Sequence, residues 1–114
     1  MHPTPLRLEL SRSADSAVLV VAGELDMLTV GDASAAAATL LDGDRTVLLD
    51  LRDVSFIDSH GLRWLIQVTS DDRRGWSILP SWPVQRVIEV SGLSQVLPVT
   101  TPPRRPQPGS GPPR

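Results

Sequence analysis

Apolar and polar side chains alternate strictly at Leu6-Arg7-Leu8-Glu9-Leu10, the period of a half-buried β-strand. A polar stretch around Ser13 to Ser16 separates it from a second run, Val18 to Ala22, so the two predict an antiparallel hairpin. Gly23-Glu24-Leu25-Asp26 then leads out of the sheet. Thr29 and Asp32 stand at capping-box spacing, with Asp in place of the preferred Glu, which predicts a helix from about Val30. Val30, Ala33, Ala37, Leu40 and Leu41 share one face of that helix, and Asp42-Gly43-Asp44 ends it.

Val47-Leu48-Leu49-Asp50-Leu51 is a nearly unbroken apolar run of the kind that serves as a central strand covered on both faces. Strand, helix, strand implies a right-handed crossover and a parallel pair. Leu62, Leu65, Ile66 and Thr69 recur at helical spacing, placing a second helix from about Ser59, with Ser59, His60, Arg63, Trp64 and Gln67 on or near its outer side. Trp76 to Leu79 reads as a further strand. Pro83 opens a third helix with Val84, Val87 and Ile88 inward, Gly92 closes it, and Val96 to Val99 forms a last short strand. The expected class is α/β, a mixed sheet of four to five strands with helices mainly on one face.

With 114 residues the chain holds one domain, assigned to residues 1–100. Residues 101–114 contain six prolines, three arginines and no apolar side chain suited to a core, and are expected to be a disordered tail. Setting that tail aside, 8 basic groups face 13 acidic ones, and a domain of net charge −5 repels a phosphate backbone, which argues against nucleic acid as partner. The apolar runs fall far short of the roughly 20 residues that cross a bilayer, and the N-terminus has no secretory pattern. The expectation is a cytoplasmic protein without a membrane role. The absence of cysteine excludes disulfides and thiolate metal sites, and only His2 and His60 are left as soft ligands, so neither metal nor cofactor is expected.

The candidate chemistry lies in Asp50-Leu51-Arg52-Asp53-Val54-Ser55-Phe56-Ile57-Asp58-Ser59-His60-Gly61-Leu62, where a buried strand feeds a loop that presents Ser59 at a helix start. Helix-start amides lack intrahelical partners and the dipole is positive there, so Asp58 or Ser59 can cap the helix and a phosphate is tolerated. A catalytic trio of Asp58, Ser59 and His60 is not workable, because adjacent side chains diverge and cannot form a relay. The nucleophile elbow fails too, since Ile57 stands where its first glycine belongs. The chain is therefore not expected to be an enzyme.

Those residues resemble the signature of the STAS domain of bacterial anti-sigma factor antagonists: the Asp50-Leu51 strand end, then Val54, Phe56 and Ile57, then Asp58-Ser59-x-Gly61-Leu62. Gly23-Glu24-Leu25-Asp26 is similar to the family's turn after its second strand, and Val84 to Leu97 to its third helix and following strand, so the resemblance covers roughly residues 5 to 99. It implies that Ser59 is phosphorylated by a partner that is both anti-sigma factor and ATP-binding serine kinase of the GHKL type, and that the unphosphorylated form binds that partner and frees a sigma factor. It further implies that Asp26 and Asp58 flank Ser59 and orient its hydroxyl. His60, Arg63 and Trp64 join the partner-binding face, Trp64 as a candidate aromatic anchor. Two departures stand out. Pro98 and Thr101-Pro102-Pro103 block the further helix that family members carry after the last strand, which bears on whether the protein is a monomer or a weak dimer, and His60 stands where a small residue is common. The alternative within the resemblance is a STAS scaffold or sensor subunit of another signalling or transport assembly.

Overall fold

A computed structural model of the chain describes residues 6–40, 43 and 46–100. The Pro/Arg-rich segment 101–114, expected as a tail, lies outside the described residues, as do Leu41, Asp42 and Asp44 of the first helix end. The elements follow in the order β1 (Arg7–Arg12), β2 (Ser16–Leu25), α1 (Val30–Leu40), β3 (Thr46–Ile57), α2 (Ser59–Thr69), β4 (Gly75–Pro80) and α3 (Trp82–Val90). They build a four-stranded sheet in the order β1-β2-β3-β4, with β1 antiparallel to β2 and the other two pairs parallel.

The hairpin follows the alternation in the sequence: Leu8 opposes Val21 and Leu10 opposes Leu19. Its turn is closed by the Ser13 N–H donating to the Ser16 carbonyl at 2.9 Å. Both parallel crossovers step in the same direction across the sheet. Right-handed connections therefore put α1 and α2 on one face, and the two helices do contact each other. Leu19, Leu49, Leu51 and Ile78 from the sheet and Ala33 and Leu65 from these helices are sealed in one core. Alternation leaves the intervening positions Val18, Val20, Leu48 and Leu79 only half-buried.

The sequence marked β3 as Val47 to Leu51, but the strand continues to Ile57. Two register shifts against β2 explain the difference: one between Val20 and Ala22, the other between Gly23 and Glu24, each accommodating one extra β3 residue. Bulges of this kind interrupt the period-two pattern that reveals a strand, and they re-aim its end. Here they carry β3 past the sheet's middle and deliver Asp58 beside the end of β2, where the Asp58 N–H donates to the Leu25 carbonyl at 3.2 Å.

The third helix starts as expected. Ser81 caps it, accepting from the Val84 N–H at 3.3 Å while its hydroxyl donates to the Val54 carbonyl at 2.7 Å, so one side chain ties the helix start to β3. Gly92, at φ 74°, turns the chain out of the helix in the left-handed region that side chains avoid. The expected last strand is reduced to a single bridge. Val99 pairs in parallel with Ile78, held by Ile78 N–H to Pro98 carbonyl at 2.8 Å and Thr100 N–H to Ile78 carbonyl at 2.9 Å. Pro98 has no N–H to give, so a longer ladder cannot form there.

Candidate functional site

The start of α2 is built by one carboxylate. Asp58, in extended conformation, is the N-cap, and its Oδ1 accepts from the backbone N–H groups of His60 at 2.8 Å and Gly61 at 3.2 Å. Its Oδ2 accepts from the Met27 N–H at 3.1 Å, which crosses from the loop after β2. Asp58 thus fastens two segments far apart in sequence into one surface. Burial pushes its carboxyl up, but the amides of Gly61, Met27 and His60 together outweigh burial and hold it below the ordinary carboxylate range. His60 Nδ1 lies 3.6 Å from Asp58 Oδ2.

Ser59 follows as the first helical residue and is exposed, as is His60. The cap is therefore Asp58 and not the serine, and the Ser59 hydroxyl is left facing outward rather than spent on the helix. Gly61 explains how the helix can start so close to the sheet. A Cβ at that position would lie 2.4 Å from the Leu25 carbonyl oxygen and 2.8 Å from Ile57 Cγ1, so only glycine fits.

Asp26 lies in the neighbouring loop and does a different task from the one expected of it. Its Oδ1 accepts from the N–H groups of Leu28 at 2.9 Å and Thr29 at 3.2 Å, and its carbonyl accepts from Val30 N–H at 2.9 Å. It starts the α1 turn. The capping box expected from Thr29 and Asp32 is absent: the Thr29 hydroxyl instead donates to the Glu24 carbonyl at 2.6 Å and accepts from the Asp26 N–H at 3.0 Å. A buried threonine whose hydroxyl can close the preceding turn gains more there than at the helix amides. Among the described residues no hydrogen bond joins the Ser59 hydroxyl to Asp26 or Asp58; Asp26 Oδ1 and both Asp58 oxygens accept from backbone amides instead.

Trp64 is a further correction. It is 4% exposed and belongs to the core, not to the outer face. The helical wheel placed it near solvent, but α1 lays Gly31, Ser34 and Ala38 beside it, and side chains that small let the indole sink between the helices. Arg63 and Gln67 are exposed as the wheel indicated.

The sequence reading missed the apolar part of the surface. Met27 and Leu28 are 61% and 73% exposed in the loop that Asp58 grips, next to Ser59 along the same seam. Phe56, 48% exposed, stands at the same end of β3. The signal was present as two apolar residues directly after Glu-Leu-Asp, outside any helix or strand period.

The arrangement of β1-β2 hairpin, two parallel crossovers and a serine-bearing helix start is that of a known domain, and a sequence model of it, described as Mlab, STAS domain, matches residues 8–98. The chain belongs to the STAS domain family. An anti-sigma factor antagonist from Mycobacterium paratuberculosis superposes with a TM-score of 0.74 at 24% identity, over 86% of this chain and 89% of that one. The unphosphorylated form of the anti-sigma factor antagonist SpoIIAA gives 0.61 at 23% identity, over 83% of this STAS chain and 89% of its own. The murine anion transporter Slc26a9 gives 0.62 at 20% identity, over 78% of this chain but 16% of the transporter, so the same fold also occurs as a small part of a much larger protein. No curated protein matches the sequence. No helix among the described residues is long and apolar enough to cross a membrane.

Proposed function

We propose that this STAS domain is an anti-sigma factor antagonist: its unphosphorylated form docks an anti-sigma factor that is also an ATP-binding serine kinase, releases the sigma factor, and is switched off when Ser59 is phosphorylated. The domain does no chemistry itself. The kinase transfers the γ-phosphoryl group of ATP to Ser59 Oγ, with ADP leaving.

The observation that carries the reading is the exposed Ser59 at the first position of α2, beside a cap that already occupies the helix-start amides. Because Asp58 holds the His60 and Gly61 N–H groups, a phosphate on Ser59 finds those donors taken and a carboxylate in their place. Its charge of about −1.5 to −2 is then directed outward. At ~5 Å and an effective dielectric of ~20, each pair of like charges is worth about 3 kcal/mol before screening. Two decades of affinity correspond to about 2.7 kcal/mol, so the switch needs no unfolding. Met27 and Leu28 supply the apolar contact that such a docking face requires. Two of the solved structures that share this fold are anti-sigma factor antagonists, one of which, SpoIIAA, has also been solved in a phosphorylated form.

Titration calorimetry against the cognate kinase tests the reading. Ser59→Ala is expected to bind as the unphosphorylated protein does, and Ser59→Glu at least about 10-fold more weakly. Equal binding by both variants would refute the switch. The transporter relative motivates a second reading, a STAS subunit inside a larger assembly. Capture of a serine kinase by the unphosphorylated protein supports the first reading, and capture of transport components without a kinase supports the second.

A further inference from the structure

Between α1 and α2 the structure holds two adjoining cavities of about 560 and about 220 Å³. Ser34, Trp64 and Gln67 line both, so they form one groove along the helix seam. Its origin lies in α1, where Gly31, Ser34, Ala37 and Ala38 are too small to fill the space opposite α2. Trp64 makes the inner wall. Trp76 also lines the larger cavity, its Nε1–H donating to the Asp71 carbonyl at 2.9 Å.

The charge of this groove runs against the rest of the domain. Residues 1–100 carry 8 arginines and 13 acids. Three of those arginines line the groove, Arg63 at one end and Arg73 and Arg74 at the other, against Asp71 as the one acid among its described lining residues. Asp71 also fixes the cationic end in place: its carboxylate accepts from Arg73 Nε at 3.0 Å and from Arg74 Nη1. The larger cavity has the volume of a small-molecule site, and its lining is mainly polar, with Trp76 as the aromatic side chain that reaches its surface. Aromatic faces suit a flat ring, and guanidinium groups suit an acid.

We propose that the α1–α2 groove binds a small planar aromatic anion, with its ring against Trp76 and its acid group toward Arg73 and Arg74. The larger cavity, with Arg73 and Arg74, is the proposed site, while the smaller one reaches His60 beside Ser59; the proposal does not depend on the anti-sigma reading. A short ring rather than a peptide is favoured because the larger cavity has the volume of a small molecule.

The probe is 8-anilinonaphthalene-1-sulfonate, a flat monoanion whose fluorescence rises in apolar surroundings, titrated into the folded full-length protein. Ala38→Trp and Ser34→Leu, both at exposed α1 positions, are each expected to weaken binding at least about tenfold by filling the groove, and Arg73→Gln about three- to tenfold. Arg86→Gln on α3 serves as the control for general cation effects and is expected to leave the affinity unchanged. In ¹H–¹⁵N spectra the indole N–H signals of Trp64 and Trp76 should move and that of Trp82 should stay. Should Ala38→Trp fail to fold, Ser34→Leu and the indole shifts decide. Unchanged affinity in the groove-filling variants, an equal loss in Arg86→Gln, or a response confined to Trp82 would overturn the site.

Discussion

Asp58 shows how much one side chain can settle. The sequence placed it beside Ser59 as an acidic neighbour. In the structure its two oxygens take three backbone amides, two at the start of α2 and one from the Met27 loop. Removing the carboxylate leaves those donors without their acceptor. Asp58→Ala is therefore expected to cost about 1–2 kcal/mol in urea unfolding, and also to weaken kinase binding by freeing the loop that carries Met27 and Leu28. Asp58→Asn keeps an acceptor oxygen and should recover most of the stability. If Asp58→Ala is as stable as the wild type, the cap is not holding the site. The residue scale is also where sequence reasoning was weakest, since the types of Asp26, Asp58 and Trp64 were plain but their hydrogen-bond partners and burial were not.

At the scale of the elements, the site is a meeting of the β2 end, the β3 end and the first turn of α2. Gly61 permits that meeting, because the Leu25 carbonyl occupies the space where a methyl group would go. Gly61→Ala is expected to destabilise the fold by about 1–3 kcal/mol through overpacking. The amide signals of Leu25, Ile57 and Ser59 should shift while those of α3 stay in place. Shifts spread evenly over the domain, or none, would speak against a local clash. The elements themselves were largely legible: the hairpin, the parallel crossovers and all three helices follow from apolar spacing and turn residues. The second half of β3 was not, because its bulges break the alternation from which a strand is read.

The whole molecule is acidic, yet its paired carboxylates make it sensitive to acid. Asp71 is held down to about 2, from an ordinary 3.8, first by the hydrogen bond from the Arg73 side chain, against the opposing effect of burial, and then by the Arg73 amide and the Arg74 side chain. Asp50 is also lowered, chiefly by its side-chain hydrogen bond with Arg52, and Asp58 shifts the same way. A carboxyl depressed in the folded state contributes stability that is present above its unfolded value and is lost as the pH falls through its folded value. For Asp71 that window runs from about 4 down to about 2. Asp71→Asn is thus expected to be less stable than wild type at pH 6, with the difference shrinking toward pH 2. Urea titrations followed by tryptophan fluorescence measure it, and a difference that stayed constant with pH would refute the assignment.

The sequence by itself determined the hairpin, the first half of β3, β4 and the three helices, and which serine stands at a helix start. Those depend on apolar period, on turn-forming residues and on a local signature, all written within a few neighbouring positions. Tertiary structure alone decided that Asp58 Oδ2 reaches the Met27 amide, that Trp64 lies inside, and that Met27 and Leu28 stand exposed in the loop that Asp58 grips. Each of these depends on what a distant segment brings close, the Met27 amide in one case and the small side chains of α1 in another, and no local pattern records the shape of a neighbour across the fold.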